Sequence, residues 1–288
     1  MKSKVYFTSL ITPESLLALY KKLDIDLKGR VACKVHSGEE GNQNYLHPEF
    51  FKPVIDLVNG TVVECNTAYE GSRNTTERHL QTLKDHGWSK YFKTEILDAV
   101  QPDMVLDIPE GKVIKKDYIG QGFKDFDSLL VLSHFKGHPM GGFGGALKQL
   151  SIGCASAYGK AFIHGAGDAK LCFKGDHDGF LLAMADSASA VSKMYEGKAA
   201  YINVMKNMSV DCDCCSVAED PCMKDIGILA SLDPIAIDQA CIDLVYASKD
   251  KGRDHLVERI ESRNGLLTLK AAAELGFGNR EYELINVD

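Results

Sequence analysis

The glycine-rich segment at residues 137–145 is surrounded by side chains suited to acid–base or metal chemistry. Five of its nine residues are glycines, and His138, Lys148 and His164 are separated by ten and sixteen residues. Glycine lets the backbone approach a ligand closely, and histidine both titrates near neutral pH and binds transition metals. The segment therefore predicts a cofactor or metal pocket with these three residues as candidate catalytic groups. A buried glycine-rich crossover with hydrogen-bonded histidines is the alternative.

This loop does not fit the common nucleotide-binding patterns. Lys148 follows Leu147 and precedes Gln149, so the P-loop spacing is absent, and the glycines do not complete the dinucleotide fingerprint. A phosphate on the backbone amides remains open, with Lys148 as its counter-charge. A lysine beside a dry loop can also lose its proton and become a nucleophile or an attachment point. The predicted cofactor-binding residues are Arg73, Gly141, Gly142, Gly144, Gly145 and Lys148.

Four of the nine cysteines fall within residues 212–222. Their spacing, Cys-x-Cys-Cys-x6-Cys, matches neither zinc-ribbon pairs nor the ferredoxin run. Thiolates select zinc, copper(I) or iron–sulfur clusters, so we predict an iron–sulfur cluster or another transition metal; a redox-active or crowded thiol loop is the alternative. Asp211 and Asp213 are expected to raise the thiol pKa values while attracting a cation. The predicted metal ligands are Cys154, Cys212, Cys214, Cys215 and Cys222.

Composition excludes several classes of protein. The 288 residues include 33 basic and 40 acidic side chains, and the net charge of −7 argues against a nucleic-acid-binding surface. No run approaches the roughly 18 apolar residues of a membrane helix, and the first residues lack the apolar core of a signal peptide. We therefore expect a cytoplasmic protein that does not bind membranes and that takes a small-molecule substrate.

Short strand-like and helical runs alternate along the chain, which predicts an α/β fold with a mainly parallel sheet and flanking helices. The predicted strands are 4–9, 31–35, 61–66, 104–108, 112–118, 128–132, 199–204, 226–230 and 283–287. The predicted helices are 13–23, 47–58, 74–86, 180–194, 234–246, 255–261 and 267–275. We expect one domain over 1–288, with possible lobes 1–124 and 125–288. Ligands bind beyond the carboxyl ends of parallel strands, so the loop after 128–132 is well placed for a site.

Several motifs together resemble the family catalogued as domain of unknown function 362, over nearly the whole chain. They are Tyr69-Glu-Gly-Ser-Arg-Asn, His138-Pro-Met-Gly-Gly-Phe-Gly-Gly-Ala-Leu-Lys148, Gly153-Cys-Ala-Ser156, Asp211-Cys-Asp-Cys214 and the segment 225–240. Many members of that family look like iron–sulfur proteins because a two-cluster ferredoxin module follows the position of His164. That module is absent here, and only Cys172 occurs before the next helix. The resemblance implies a metal- or iron–sulfur-binding enzyme, redox-active and served by a redox partner protein, with Cys215 and Cys222 as additions.

A more distant likeness links the same residues to nickel-pincer lactate racemases. In that family the lysine carries the pincer cofactor, the later histidine ligates nickel and the earlier histidine is an acid/base. By motif these roles fall on Lys148, His164 and His138. Ala-Leu stands before Lys148 where a glycine and a variable residue are expected, and the chain is shorter. This likeness implies hydride transfer on a small 2-hydroxy acid. A non-catalytic metal-binding or sensor protein is the third hypothesis.

Overall fold

An eight-stranded sheet is the centre of the fold in the computed structural model, which describes residues 2–288. Its strands, in chain order, are β1 (Ser3–Thr8), β2 (Val31–Lys34), β3 (Thr61–Glu64), β4 (Thr94–Ile96), β7 (Ser128–His134), β10 (Ala199–Met205), β11 (Gly227–Ser231) and β12 (Tyr282–Asn286). Two small ribbons lie outside it, formed by β5 (Met104–Asp107) with β6 (Lys116–Ile119) and by β8 (Lys136–His138) with β9 (Gly142–Gly144).

The spatial order of the sheet is β12-β1-β11-β10-β7-β2-β3-β4. Strand β11 is antiparallel to both of its neighbours, and the other pairings in the sheet are parallel. The predicted fold class, a mainly parallel α/β sheet, is therefore confirmed. Strands from both sides of residue 124 belong to this one sheet; the division into lobes stays a prediction.

Helices cover both faces of the sheet. They are α1 (Pro13–Lys22), α2 (Pro48–Leu57), α3 (Thr76–Asp85), α4 (Trp88–Tyr91), α5 (Ala146–Lys148), α6 (Ala157–His164), α7 (His177–Met194), α8 (Pro234–Ala247), α9 (Arg253–Ser262) and α10 (Leu266–Glu274). Strand β7 shows why both faces need cover. Leu129 and Val131 enter one hydrophobic cluster, whereas Leu130 and Leu132 enter the other. Such a continuous apolar run is typical of a central parallel strand. Within residues 2–288 no helix combines the length and apolarity that crossing a membrane requires.

Local signals were reliable where a cap residue stands before an apolar run. Thr12 accepts a hydrogen bond from the backbone of Ser15 and caps α1, and Asp233 caps α8 in the same way before Pro234. The predicted strand 112–118 is wrong over its first half. There the N–H groups of Lys112, Val113 and Ile114 donate to the buried carboxylate of Asp186, so they are not available to a strand.

The segment between β7 and α7 contains elements that the sequence did not predict. The β8–β9 ribbon could not be predicted because its strands are rich in glycine, which is a poor former of both helices and strands. Helices α5 and α6 follow it, and a π-helical turn, Gln149–Gly153, continues α5. Asp238 of α8 holds the start of α5. Its buried carboxylate accepts the N–H groups of Ala146 (2.7 Å) and Leu147 (2.9 Å) and the amide Nδ2 of Asn203 (2.7 Å).

Replacing Asp238 with alanine would leave these three donors buried without an acceptor. We expect Asp238→Ala to lower the free energy of unfolding by about 2–4 kcal/mol, because each unsatisfied buried donor costs about 1–3 kcal/mol and the helix partly relaxes. Urea unfolding monitored by circular dichroism measures this. Asp254→Ala, at an exposed position of α9, is the control and should unfold like the wild type. Coincident unfolding curves for the two variants would contradict the role of Asp238.

Candidate functional site

A cavity of about 320 Å³ lies at the carboxyl ends of β2, β3 and β7. Lys34, Glu64 and His134 are the last residues of those strands, and all three line it. The ribbon β8–β9, helix α5 and helix α6 supply further wall. Three sequence-predicted residues, His138, Lys148 and His164, line this same cavity. The site therefore lies where parallel α/β sheets bind their ligands.

The glycines serve close backbone packing more than phosphate binding. A Cβ at Gly137 would lie 2.3 Å from the carbonyl oxygen of Val210, and one at Gly145 would lie 2.3 Å from Asp238 Oδ1. The Gly141 N–H donates to His138 Nδ1 at 2.8 Å, and the amides that follow Gly145 donate to Asp238. Gly142 packs against the backbone of Ile260 and Gly265. The Gly141 amide and the two amides after Gly145 are thus already occupied, and Gly144 and Gly145 line the cavity.

Sulfur and nitrogen atoms converge at one side of the cavity. The ligand atoms of His138, Cys212 and Cys214 all lie within 4.8 Å of one another. The two cysteines belong to a turn that the Cys215 N–H closes by donating to the Cys212 carbonyl at 2.9 Å. Asp213, between them, has its buried carboxylate 2.7 Å from Lys136 Nζ and 3.0 Å from His134 Nδ1. These contacts join the turn, named here the cysteine turn (residues 212–215), to the end of β7.

Two of the other predicted sulfur ligands, Cys154 and Cys222, lie apart from this group. The Cys154 thiol donates to the Gln149 carbonyl, and burial raises its pKa to about 12. The Cys222 thiol donates to the Met208 carbonyl at 3.3 Å. Cys215 is in the cysteine turn, half-buried and beside Cys214. Of the predicted ligands, the structure brings together Cys212 and Cys214 and adds His138.

The thiol pKa values of the cysteine turn are not all raised, although the sequence predicts that they are. A hydrogen bond from the Cys214 thiol and the charge of Lys148 hold the pKa of Cys212 well below its ordinary value. The pKa of Cys214 is raised because its thiol donates to Cys212. The predicted effect of a neighbouring carboxylate is present at Cys215, where the charge of Asp211 works against the thiol–thiol hydrogen bond from Cys214 that lowers the pKa.

Lys148 likewise differs from the predicted neutral nucleophile. Its Nζ lies 3.2 Å from Cys212 Sγ. Burial alone would lower the pKa of Lys148, but Cys212, Cys214 and Asp213 together outweigh burial and raise it. In this arrangement Lys148 is an ammonium group paired with a thiolate.

Backbone contacts fix which nitrogen of each histidine is free. His138 Nδ1 accepts N–H groups from Met140 and Gly141, so its proton is on Nε2 and that nitrogen is a donor. His164 is the reverse, because its Nδ1–H donates to the Lys160 carbonyl at 2.7 Å and leaves the Nε2 lone pair free. Burial lowers the pKa of His138 to about 4 and that of His164 to about 3. His164 Nε2 can therefore ligate a metal or accept a hydrogen bond, whereas His138 Nε2 donates one.

Sequence reasoning missed several cationic residues of the wall. Lys34 ends β2 and His36 lies two residues further on, just as His134 ends β7 and Lys136 lies two residues beyond it. His36 is close enough to Cys212 to hydrogen-bond with it. Their position at the ends of two predicted parallel strands is the sequence feature that could have identified them. Arg73, which was predicted, also lines the cavity, but its guanidinium already binds Glu39 Oε2 at 3.1 Å and the Tyr69 hydroxyl at 2.8 Å.

The protein is thus of the α/β class, and its cavity is lined by basic side chains and adjoins a histidine and two cysteines. The chain belongs to the family described as "Domain of unknown function (DUF362)", whose profile matches residues 31–243. A search of curated proteins found no match.

Two solved structures resemble the fold at low identity. One is the lactate racemase apoprotein from Thermoanaerobacterium thermosaccharolyticum, at 16% identity and a TM-score of 0.46, over 69% of this chain and 50% of that one. The other is a protein from Thermotoga maritima, at 11% identity and a TM-score of 0.39, over 91% and 58%. The chain thus spans about half the length of these proteins. Both TM-scores are below 0.5, so neither likeness carries an argument about function.

Protonation of buried histidines should destabilise the fold in acid. His79, on α3 behind Glu64, is fully buried, and burial lowers its pKa to about 3. The unfolded chain binds this proton below a pH of about 6.5 and the folded chain does not. Stability is therefore lost as the pH falls from about 6.5 towards 3, at about 1.4 kcal/mol per pH unit for each such histidine.

We expect His79→Gln to flatten the dependence of the free energy of unfolding on pH by about that slope between pH 4.5 and 6. Urea denaturation at several pH values measures it. His255→Gln, at an exposed position, should keep the wild-type slope. A wild-type slope in His79→Gln would show that His79 is already protonated in the folded protein.

Proposed function

We propose that this protein is an enzyme that holds a transition metal beside the cavity and acts on a small molecule bound within it. One observation carries the proposal: the ligand atoms of His138, Cys212 and Cys214 lie within 4.8 Å of one another and adjoin a cavity of about 320 Å³. A thiolate next to a cavity of this size favours catalysis over storage, because a purely structural thiolate site is usually closed by four ligands.

The donor set fits a soft metal ion. The Cys212 thiolate is already formed, and Cys214 needs to lose one proton on binding. His138 is the weaker third ligand, because its Nδ1 accepts backbone N–H groups and its Nε2 carries the proton. The free Nε2 of His164 faces the same cavity and is the better nitrogen donor. When bound, such a metal would supply Lewis-acid or redox chemistry.

An iron–sulfur cluster receives less support from the same geometry. Clusters of the four-iron type require four cysteine ligands. Among the described residues the close group contains only Cys212 and Cys214, and the Cys222 thiol is held by the Met208 carbonyl. A single metal ion with two sulfur ligands is the form that we propose. If the reaction is a redox reaction, an electron-carrier protein would be its partner.

The protein's own groups have distinct tasks in this proposal. Lys148 stabilises the Cys212 thiolate through its charge at 3.2 Å. His138 Nε2–H is a hydrogen-bond donor towards the same sulfur. His164 Nε2 accepts a hydrogen bond from a bound molecule when it is not a metal ligand. The apolar wall, formed by Pro139, Met140, Ile152 and Phe173, limits the access of water.

A lysine-linked nickel cofactor is the second candidate. Lys148 and His164 face one cavity, and His164 presents a free Nε2. Here Lys148 would have to give up its proton and its contact with Cys212. This candidate predicts a covalent mass increase on the Lys148 peptide after co-expression with enzymes that make the cofactor. An unmodified peptide would leave the two-cysteine site as the remaining proposal.

We expect protein purified anaerobically to carry roughly one transition-metal ion per chain, and Cys212→Ser to carry less than about a tenth of that. Cys222→Ser is the matched control and should keep the wild-type content, because Cys222 lies outside the ligand group. Elemental analysis by mass spectrometry measures both. Equal metal content in Cys212→Ser and the wild type, or a metal-free wild-type protein, would contradict the proposal. If the wild type and His164→Ala both retain the metal and neither converts a substrate, the result would favour a non-catalytic sensor.

A further inference from the structure

The wall of the cavity is strongly cationic. It presents five basic side chains, each from a different part of the fold, and one carboxylate. The basic residues are Lys34, Arg73, Lys136, Lys148 and Lys160, and the carboxylate is Glu64. A concave site lined by one sign of charge concentrates its field and attracts ions of the opposite sign.

Four of these five cations already have an anionic partner. Lys34 Nζ lies 2.7 Å from Glu64 Oε2, and Lys136 Nζ lies 2.7 Å from Asp213 Oδ2. Arg73 binds Glu39, and Lys148 lies beside the Cys212 sulfur. The charges of these four residues are therefore largely balanced within the protein itself.

Lys160 differs from the other four. Its side chain is only 7% exposed, and no carboxylate of residues 2–288 lies within 4 Å of its Nζ. Its Nζ donates to the carbonyls of Ala155 (2.6 Å) and Cys65 (3.3 Å). An ammonium has three N–H groups, so one remains for the cavity. The nearby Asp98 is already engaged, since its two oxygens accept the N–H groups of Asn66 and Ala157.

We propose that Lys160 is the anchor of an oxyanion-binding subsite in this cavity, for a small carboxylate or phosphate group. The buried ammonium lacks the counter-ion that burial normally demands, and an oxyanion supplies it. Gln149 and His164 border the same space, so the anion would lie against Lys160 with the rest of the molecule along the apolar wall. That the anion is the substrate rests on the proposed function, but its binding does not need the metal.

Isothermal titration calorimetry with acetate, glycolate and inorganic phosphate, at constant ionic strength, tests the subsite. We expect wild-type protein to bind at least one of them, and Lys160→Met to bind it about tenfold or more weakly, the loss typical of one charged hydrogen bond. Lys170→Met, at an exposed position nearby, is the control and should bind like the wild type. Binding of carboxylates alone or of phosphate alone identifies the class and supports the proposal.

A second measurement applies if Lys160→Met does not fold. Acetic anhydride labelling of wild-type protein, read by peptide mass spectrometry, should slow at Lys160 when the anion is added and stay constant at Lys170. Wild-type protein stripped of metal with a chelator should keep the anion affinity, so loss of the metal and loss of the subsite are separate results. The proposal is overturned if wild-type protein binds none of the three anions, or if folded Lys160→Met binds as tightly as the wild type.

Discussion

The carboxylate of Asp213 is the contact on which the candidate site depends. It binds Lys136 and His134, more than seventy residues earlier in the chain, and so joins the cysteine turn to the end of β7. Lys136 thus balances the Asp213 charge at 2.7 Å, while the Cys212 sulfur lies 3.2 Å from the Lys148 ammonium. Without this pairing the cysteines would lie beside an uncompensated buried charge, which proteins avoid.

The same principle of local charge balance extends across the cavity. Lys34 with Glu64, and Arg73 with Glu39, are nearly fully buried pairs that hold the ends of β2 and β3 against the loops that follow them. Buried pairs of this kind contribute little net stability but fix geometry when their remaining donors are satisfied. The cavity therefore combines paired charges with an apolar wall, and two of its polar groups have no partner among the residues that the structure describes: the Nε2 of His164 and the third N–H of Lys160.

Sequence reasoning predicted the α/β class and the placement of His138, Lys148 and His164 in one pocket, because apolar runs, cap residues and strand ends are local signals. Lys136 and Lys160 were missed, because an isolated lysine near a strand end or in a helix looks like a solvated surface charge. The lowered pKa of Cys212 could not be predicted either, since it depends on the hydrogen bond from the Cys214 thiol and on the charge of Lys148, which lies 64 residues earlier in the chain. The capping of α5 by Asp238, 91 and 92 residues away from the groups that it binds, was invisible for the same reason.

The proposed metal centre requires soft ligands from both Cys212 and Cys214 at the edge of this cavity. X-ray absorption spectroscopy at the zinc edge, on protein loaded anaerobically with Zn²⁺, tests it most directly. We expect two sulfur atoms at about 2.3 Å from the zinc, accompanied by nitrogen or oxygen ligands at about 2.0–2.1 Å. A spectrum fitted by nitrogen and oxygen alone would contradict it.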